Sequence, residues 1–471
     1  MSFVNEKLNK FNEDVKGKKI AIIGLGVSNM PLIDYFNELN CDITAFDNRV
    51  EEKIDKDIIE KLNSLNIKYY AGDDCLNNLV GFDYIFRSPS ARPDKPEFLA
   101  EIERGAVLTT EIEQVLELSP SHIIGITGSD GKTTTTSMIY QILKNAGKKC
   151  FLGGNIGTPL FTEIKDMMPD DYVVLELSSF QLMNMKKSPE IAVITNITPN
   201  HLDIHKDYQE YIDAKKTIFI NQDENGILVT NKDNELTKDL DKEAKGETRF
   251  FAHKQILDNG IIFDESDQNI KLMEDGKETI LINRFDMSVR GEHNCENACT
   301  ALLATYGLVP LESAVETIRK FSGVEHRLEF VREINGVKWY NDSIGTSPTR
   351  TIAGLNSYVE KIVLIAGGYD KHLEYEPIAK PIVDNVSKLI LIGATADKIE
   401  KAVKDELAKE NKPEDYIPMY RCNTLQEVCE KAKEVAVEGE VVLFSPASAS
   451  FDMFKNFMER GELFKNIVNG L

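Results

Sequence analysis

The chain has 471 residues, more than one hydrophobic core usually supports, so it is expected to divide into two or three domains. With 42% hydrophobic and 28% charged residues it has the make-up of an ordinary soluble globular protein, and a net charge of −22 argues against nucleic acid as its partner, because phosphate-backbone binding wants a basic surface. The polar start MSFVNEKLNK has no secretory h-region and no apolar run reaches the length of a membrane span, which sets the expectation of a cytoplasmic protein without membrane insertion. Seven scattered cysteines with no Cys-x-x-Cys pair read as reduced packing residues.

Three blocks each repeat apolar strand, turn and amphipathic helix, the pattern of α/β domains built on parallel sheets. The first holds KKIAIIGLG, CDITAFD and DYIFRSPS. Its loop GLGVSN supplies Gly24 and Gly26 but has Asn29 where a dinucleotide fingerprint wants a third glycine. Such a broken loop fits a tight turn, the diphosphate of another nucleotide or, less well, NAD. Asp47 ends the next strand where a ribose-binding acid belongs, and Arg49 beside it is a cation at a strand's carboxyl end.

The second block runs from HIIGITG through DYVVLELSSFQL and IAVITNITPNHLD to GILVTNKDN, then a more strand-like stretch and the helix NCENACTALLATYGL. Its loop GITGSDGKTTTT misses the standard P-loop spacing: Ile126 stands where a glycine belongs, with Gly125 one residue early and Gly128 two residues late. It still joins an apolar strand to a helix, so backbone N–H groups and the helix N-terminus can converge on phosphates, with Lys132 reaching the β/γ-phosphates and the Thr133 hydroxyl ligating Mg2+. Glu176 ends an apolar strand, where an acid without a partner is costly; it is either a metal ligand or a carboxylate satisfied by Ser178 and Ser179. Asn196, His201, Asp203 and His205 share the next strand-end loop, His205 being read as structural. Lys215 and Lys216 read by themselves as solvated lysines. The third block, KIVLIAGGYDK, KLILIGATAD and EVVLFSPASASFD, is that of buried parallel strands. Boundaries near 111 and 323 give domains 1–111, 112–323 and 324–471.

GITGSDGKTTTT, ELSSFQL, TNITPNHLDIH, AKKTIF, GEHNCENACTAL, GVEHRLEF and NDSIGTSP, in this order, resemble the Mur ligase family, the ATP-dependent amide ligases of cell-wall precursor synthesis. The resemblance spans essentially the whole chain. It also accounts for the short loop, since the family's version reads T-G-x-x-G-K-[ST], matched by Thr127 to Thr133. Ser178 to Leu182 and Ser445 to Gly461 resemble the branch that adds D-glutamate, and the D-N-P-R string expected of the diaminopimelate- or lysine-adding branch does not occur.

The resemblance implies a three-domain α/β fold, with a Rossmann-like UDP-binding domain, a central P-loop ATPase-like domain and a C-terminal Rossmann-like domain. It implies ATP and Mg2+ as cofactors, UDP-N-acetylmuramoyl-L-alanine and D-glutamate as substrates, and a monomer. Gly128, Ser129, Asp130, Gly131, Lys132, Thr133 and Thr134 would hold the ATP phosphates, Asn294 and Asn297 would face the adenine, and Arg327 and Asp342 would bind phosphate and ribose. N-capping is the plainer reading of Asn294. Thr133 and Glu176 would hold the ATP-bound Mg2+, His201 a second Mg2+, and Lys215 matches a lysine that this family carbamylates with CO2 to support that metal. Val27, Ser28, Asn48 and Arg49, with Asn155 and His201, would hold the UDP-sugar. Thr346, Lys371, Ser450, Phe451 and Phe457 would form the D-glutamate pocket, although Ser450 could instead cap the following helix and Phe457 could be core. Two departures stand out: Ile344 follows Asn-Asp-Ser where lysine is usual, and Ser88-Pro-Ser90 replaces the usual Ser-Pro-Gly. Folylpolyglutamate synthase, a nicotinamide dehydrogenase and a nucleotide switch are the rival classes; the first needs no UDP domain, and the second leaves the Gly-Lys-Thr loop unexplained.

Overall fold

The computed structural model describes residues 3–199, 205–370 and 373–471, and each block of the sequence builds one sheet. The first is parallel throughout, with β1 (Lys19–Ile23), β2 (Asp42–Asp47), β3 (Lys68–Ala71), β4 (Tyr84–Arg87) and β5 (Val107–Thr109) in the order β3-β2-β1-β4-β5. The second has nine strands: β6 (His122–Thr127), β7 (Cys150–Gly154), β8 (Tyr172–Glu176), β9 (Ile191–Ile194), β10 (Ile227–Asn231), β11 (Glu247–Ala252), β12 (Gly260–Asp264), β13 (Asn269–Glu274) and β14 (Lys277–Asn283). Their order is β14-β13-β12-β11-β10-β9-β6-β8-β7, parallel except for the antiparallel ribbon β12-β13-β14. The third has β15 (Glu329–Ile334), β16 (Val337–Asn341), β17 (Ile362–Ala366), β18 (Val386–Leu391), β19 (Met419–Arg421) and β20 (Val441–Phe444) in the order β15-β16-β20-β17-β18-β19, with only β15 antiparallel.

Every residue of β8, β9, β17 and β20 is buried, which is why these strands read as unbroken apolar runs rather than alternating ones. In each sheet the chain order reverses beside a central strand, β1, β6 or β20, and the loops at carboxyl ends there are where open α/β sheets bind ligands.

The chain forms two compact units, Met1–Arg284 with Cys295–Ile318, and Phe285–Asn294 with Arg319–Leu471. Within the first unit the first two sheets share one hydrophobic core. Phe161, in the short helical segment Phe161–Asp166, meets the rings of Phe11, Tyr35, Phe36 and Phe86 at centroid distances of 4.9–6.2 Å. Buried Arg87 at the end of β4 donates Nη2–H to the Met183 carbonyl at 2.9 Å and Nη1–H to that of Ala91 at 3.1 Å, and burial draws its pKa down to about 10. A guanidinium satisfied by carbonyls alone ties the loop after β4 to the helix Ser179–Leu182.

The helix Glu111–Leu118 is capped by Thr110, whose hydroxyl accepts the Glu113 N–H at 3.1 Å, and it buries Glu111 against the same segment. Glu111 Oε1 accepts the N–H groups of Leu160 and Phe161 at 2.8 and 2.9 Å. Burial nevertheless pushes its carboxyl from the ordinary 4.5 up to about 7, against the pull of those two donors. The folded chain therefore keeps a proton that the unfolded chain releases at lower pH, so this contribution to stability is full below the unfolded pKa and is lost as pH rises through the folded one. Glu111→Gln keeps an acceptor for both N–H groups. It is expected to flatten the decline of the urea midpoint between about pH 5 and 7; an unchanged slope would remove Glu111 as its source.

Candidate active site

The loop after β6 is shaped by two glycines at positive φ, Gly128 at +150° and Gly131 at +80°. A Cβ on Gly128 would lie 1.8 Å from Thr195 Oγ1, and one on Gly131 would lie 2.3 Å from Asn297 Oδ1. The loop is pinned from beyond β9: Ser129 N–H donates to the Asn196 carbonyl at 2.9 Å, Asp130 N–H to Asn196 Oδ1 at 3.0 Å, and Ser129 Oγ to the Thr198 carbonyl at 2.9 Å. Lys132, first residue of the helix Lys132–Asn145, donates to the Gly128 and Ser129 carbonyls, both at 2.9 Å. Thr133 is half-buried and Thr134 buried in the same first turn. The helix N-terminus and its lysine thus serve one short loop, the arrangement that accepts a phosphate.

Glu176 ends β8, beside Ile126 of β6 in register, and is 1% exposed. Its Oε1 accepts from Asn155 Nδ2 at 2.8 Å, while its buried Oε2 has no hydrogen-bond partner among the described residues. Neither neighbouring serine satisfies it. Ser178 caps the helix Ser179–Leu182 in a reciprocal box with Gln181, and Ser179 hydrogen-bonds His205 Nε2 at 2.9 Å. A buried carboxylate oxygen without a donor is costly, and a cation is what repairs it.

Lys215, on the helix Tyr208–Ile220, is 2% exposed, unlike its neighbour Lys216, which pairs with Glu243 at 2.6 Å. Lys215 Nζ donates to the Gly128 carbonyl at 2.7 Å and lies 4.7 Å from the centre of the Tyr211 ring. Burial, and then the charge of Lys132, draw its pKa down to about 6, with Asp130 and Glu176 opposing. At neutral pH it is chiefly a free amine, the nucleophilic form. His205 is fully enclosed, stacked on Phe180 at 5.1 Å, as a structural histidine. His201 lies outside the described residues.

In the first sheet Gly24, at φ +88°, leaves no space for a Cβ, which would meet Ser88 at 2.8 Å. Asn29 replaces the third glycine with a side chain that donates to the Ile23 and Gly24 carbonyls at 2.9 and 3.2 Å. Asp47 accepts the Leu25 N–H at 2.8 Å, the Arg49 N–H at 2.9 Å and the Arg49 guanidinium twice at 2.8 Å. Burial would raise its pKa, but the Arg49 fork and these N–H groups hold it below the usual range. An acid engaged in this way offers little to a ribose diol, which weighs against the dehydrogenase. Val27 and Asn48 are exposed beside this pair, and Ser28 is half-buried.

In the second unit Asp342, just past β16, is buried and pushed up to about 6 by burial, opposed by Ser445 Oγ–H at 2.6 Å and the Leu328 N–H at 3.3 Å. Thr346 follows in the same loop. Ser450 is buried and does not cap the helix Phe457–Gly470; Asn456 does, accepting the Glu459 N–H at 2.9 Å. Phe451 is exposed and meets the Tyr369 ring edge-on at 5.9 Å, while Phe457 is half-buried with its carbonyl accepting from Ser343 Oγ at 2.8 Å. Lys371 lies outside the described residues. Asn294 sits inside the helix Glu292–Thr305 rather than at its cap, its Nδ2 donating to the Arg290 carbonyl.

Residues 126–305 match the Mur ligase middle domain and residues 326–448 the Mur ligase, glutamate ligase domain. A protein of Ruminiclostridium cellulolyticum described as UDP-N-acetylmuramoylalanine–D-glutamate ligase is 49% identical over 468 residues, 99% of this chain and 100% of that one. The chain belongs to the Mur ligase family. A Mur ligase of Clostridium acetobutylicum bearing the same description is 46% identical over 98% of this chain and 99% of its own. The solved UDP-N-acetylmuramate–alanine ligase of Thermotoga maritima shares the fold, with a TM-score of 0.57 at 22% identity over 96% of this chain and 99% of its own.

Around the loop Gly128 to Lys132, at the carboxyl end of β6, the structure gathers Glu176 and Lys215, which the resemblance gives to the metals, and Asn297, which it gives to the adenine. Asn155, which the resemblance gives to the UDP-sugar, donates to Glu176. Two residues that sequence reading passed over are Thr195 and Arg460. Arg460 is 3% exposed, donating to Ser343 Oγ and to the Ser343, Ser448 and Ala449 carbonyls. An arginine on the apolar side of an amphipathic helix was its only sequence signal.

Gly131 and Gly147 share a positive φ, +80° and +82°, but nothing lies within 4 Å of a Cβ on Gly147. Gly147→Ala therefore measures the backbone penalty alone, about 1–2 kcal/mol. Gly131→Ala is expected to add an overpacking penalty of about 1–3 kcal/mol, read as a further drop in Tm, and to weaken ATP binding. Equal melting temperatures for the two variants would contradict the close fit of the loop to Asn297.

Proposed function

We propose that this Mur ligase joins D-glutamate to UDP-N-acetylmuramoyl-L-alanine, with ATP cleaved to ADP and phosphate, in peptidoglycan precursor synthesis. The observation that carries the reading is the short Gly-Lys-Thr loop beside two buried groups: Glu176, one oxygen of which has no partner among the described residues, and the amine of Lys215. The full-length likeness to proteins described as D-glutamate ligases supports the choice of amino acid.

A free carboxylate is a poor electrophile, so the chemistry has two steps. An oxygen of the L-alanyl carboxylate attacks the γ-phosphorus, the bond to the β-phosphate oxygen breaks, and an acyl phosphate and ADP result. The uncharged amine of D-glutamate then attacks the acyl carbon, and the tetrahedral intermediate expels phosphate as the amine loses its proton. Catalysis is mostly positioning and charge stabilisation. Gly128, Ser129, Asp130, Gly131, Thr133 and Thr134 wrap the phosphates and Lys132 swings from the loop carbonyls to neutralise them. Asn294 and Asn297 serve the adenine, and Arg327 and Asp342 the phosphate and ribose.

The donor set fits Mg2+: a threonine hydroxyl at a phosphate loop and a buried carboxylate with one oxygen to spare. Thr133 and Glu176 would hold one ion, and His201 with a carbamylated Lys215 a second. Mg2+ supplies the positive charge that lets two anions approach. The neutral, buried amine of Lys215 is the form whose lone pair attacks the carbon of CO2; as the N–C bond forms the nitrogen releases a proton, and the carbamate would be an anion beside the loop. Val27, Ser28, Asn48 and Arg49, with Asn155, belong to the UDP-sugar, and Thr346, Lys371, Ser450, Phe451 and Phe457 to D-glutamate. In this reading residues 1–111, 112–323 and 324–471 are UDP-sugar, ATP and amino-acid domains of a cytoplasmic monomer. Among the described residues no helix is long and apolar enough to cross a membrane.

The test is phosphate release from ATP and UDP-N-acetylmuramoyl-L-alanine with D-glutamate, L-glutamate, meso-diaminopimelate or L-lysine, with product mass checked. Release with D-glutamate alone is expected; release with another amino acid, or with none needed, overturns the assignment. Lys132→Ala and Glu176→Ala are each expected to abolish turnover, and normal rates in either would remove that residue from the site. Intact-protein mass spectrometry in bicarbonate should show the mass of one CO2, lost in Lys215→Arg; no such adduct would leave Lys215 an unmodified amine.

A further inference from the structure

The loop after β4 is fastened to the helices of the second sheet by two arginines. Arg87 donates to the Met183 carbonyl, and Arg92, farther along the same loop, sets two forks at once. Its Nε–H and Nη2–H reach Asp94 Oδ1 and Oδ2, both at 3.0 Å, while its Nη1–H and Nη2–H reach Glu210 Oε2 and Oε1 at 3.1 and 2.7 Å. Lys206 Nζ also pairs with Asp94, so two cations and two acids close on one another. The side chains of Arg92 and Glu210 are each 23% exposed. An isolated surface ion pair contributes little, but a forked arginine in a half-buried network is the exception. The Arg92 fork is also the chief cause that draws the Glu210 carboxyl down to about 2, so the acid stays charged at neutral pH.

Glu210 stands in the first turn of the helix that carries Lys215. Asp207 caps that helix by accepting the Glu210 N–H at 2.8 Å, and Glu210 Oε2 reaches back to the Lys206 N–H at 2.8 Å. The next residue, Tyr211, lies one turn before Lys215 on the same face. Its hydroxyl is 2.8 Å from Ser129 Oγ of the phosphate loop, and its ring is the one beneath Lys215 Nζ. The far end of the helix is tied separately, with Ser188 Oγ–H donating to the Thr217 carbonyl at 3.0 Å and Ser188 Oγ accepting the Asn221 N–H at 3.2 Å. A single helical turn moves as a stiff unit, so a shift where Arg92 grips it is a shift of Tyr211 and Lys215 against the loop. An arginine matched by two carboxylates has no surplus charge for a substrate anion; what it does is hold.

We propose that Arg92 is a positioning residue for Lys215: it fastens the first turn of the helix Tyr208–Ile220 to the loop after β4, and so fixes the Lys215 amine, and the carbamate formed on it, beside the phosphate loop. The proposal rests on the ligase reading above and adds to it a residue that the resemblance does not assign. It also gives the first sheet a part in the chemistry of the second. Ser88, in the same loop as Arg92, is the residue that a Cβ on Gly24 would meet at 2.8 Å, so one short piece of chain runs from the Gly24 turn to the grip on Glu210.

The experiment compares the wild type, Arg92→Ala, Arg92→Lys, Glu210→Ala and the double variant Arg92→Ala with Glu210→Ala. Native mass spectrometry over a bicarbonate series reads the CO2 adduct, and steady-state kinetics read D-glutamate-dependent phosphate release. In Arg92→Ala kcat is expected to fall about tenfold or more, the scale of a displaced reacting group, while KM for ATP, UDP-N-acetylmuramoyl-L-alanine and D-glutamate holds. The bicarbonate needed for half-maximal adduct is expected to rise with it. Glu210→Ala should behave alike and the double variant no worse than either, because each single change already opens the fork. Arg92→Lys, which can meet one acid but cannot fork both, falls between. Wild-type kcat and bicarbonate dependence in Arg92→Ala, even with a lowered Tm, overturn the proposal; so does a raised KM for UDP-N-acetylmuramoyl-L-alanine in place of the loss in kcat, or additive losses in the double variant. Should Arg92→Ala fail to fold, as judged by circular dichroism, Glu210→Gln takes its place with the same expectations, since it keeps an acceptor for the Lys206 N–H and removes the charge that Arg92 grips. If the wild type carries no adduct, kcat alone decides. The two readings fail separately. An adduct that is lost in Arg92→Ala from a wild type joining no amino acid sinks the ligase reading alone, and D-glutamate turnover that is equal with and without Arg92 sinks the positioning role alone.

Discussion

The tight fit around Gly128 and Gly131 is the constraint on which the nucleotide site depends. Both glycines hold backbone angles that other residues resist, and both press against side chains, Thr195 and Asn297, delivered from distant parts of the chain. In that setting the loop carbonyls of Gly128 and Ser129 receive Lys132, and the Gly128 carbonyl also receives Lys215 Nζ at 2.7 Å. The shortened loop works because its neighbours fill the space that a longer one would use. Asn196 fastens it through backbone and side chain together.

Within a chain of net charge −22, a few basic side chains are held in enclosed places. Arg87 and Arg460 are buried against carbonyls, Arg49 is paired with Asp47, and burial draws the pKa of Lys215 down to about 6. A cation fixed by the fold gives local attraction for an anion while the general field stays repulsive.

The α/β class, the strand-loop-helix at Thr127 to Lys132 and the strand-end position of Glu176 were legible in the sequence, because each is a local pattern of apolar run, glycine and polar stop. What was not legible depends on contacts between distant segments. Lys215 and Lys216 read alike, and only packing against the loop buries one and leaves the other paired with Glu243. Glu176 had two serines within three residues, yet its donor is Asn155, brought alongside by the pairing of β7 with β8. Ser450 had the form of a helix cap, but the helix starts later, at Asn456. The Asp47–Arg49 fork was visible only as adjacency. Its geometry decides that the acid serves its own chain.

The order of the second sheet has a consequence for how the chain folds. The ribbon β12-β13-β14 pairs residues close in sequence, whereas β6 takes its neighbours β8 and β9 from beyond an intervening helix and strand. Loop-closure entropy must be met before such distant pairings reward it, so local ribbons form fast and central parallel strands late. The phosphate loop, hung from the end of β6 and pinned by residues past β9, is then among the last parts to acquire its shape. A nucleotide that binds only the finished loop draws the folding equilibrium toward the native chain by mass action. The substrate of such a protein acts also as a stabiliser of the fold that uses it.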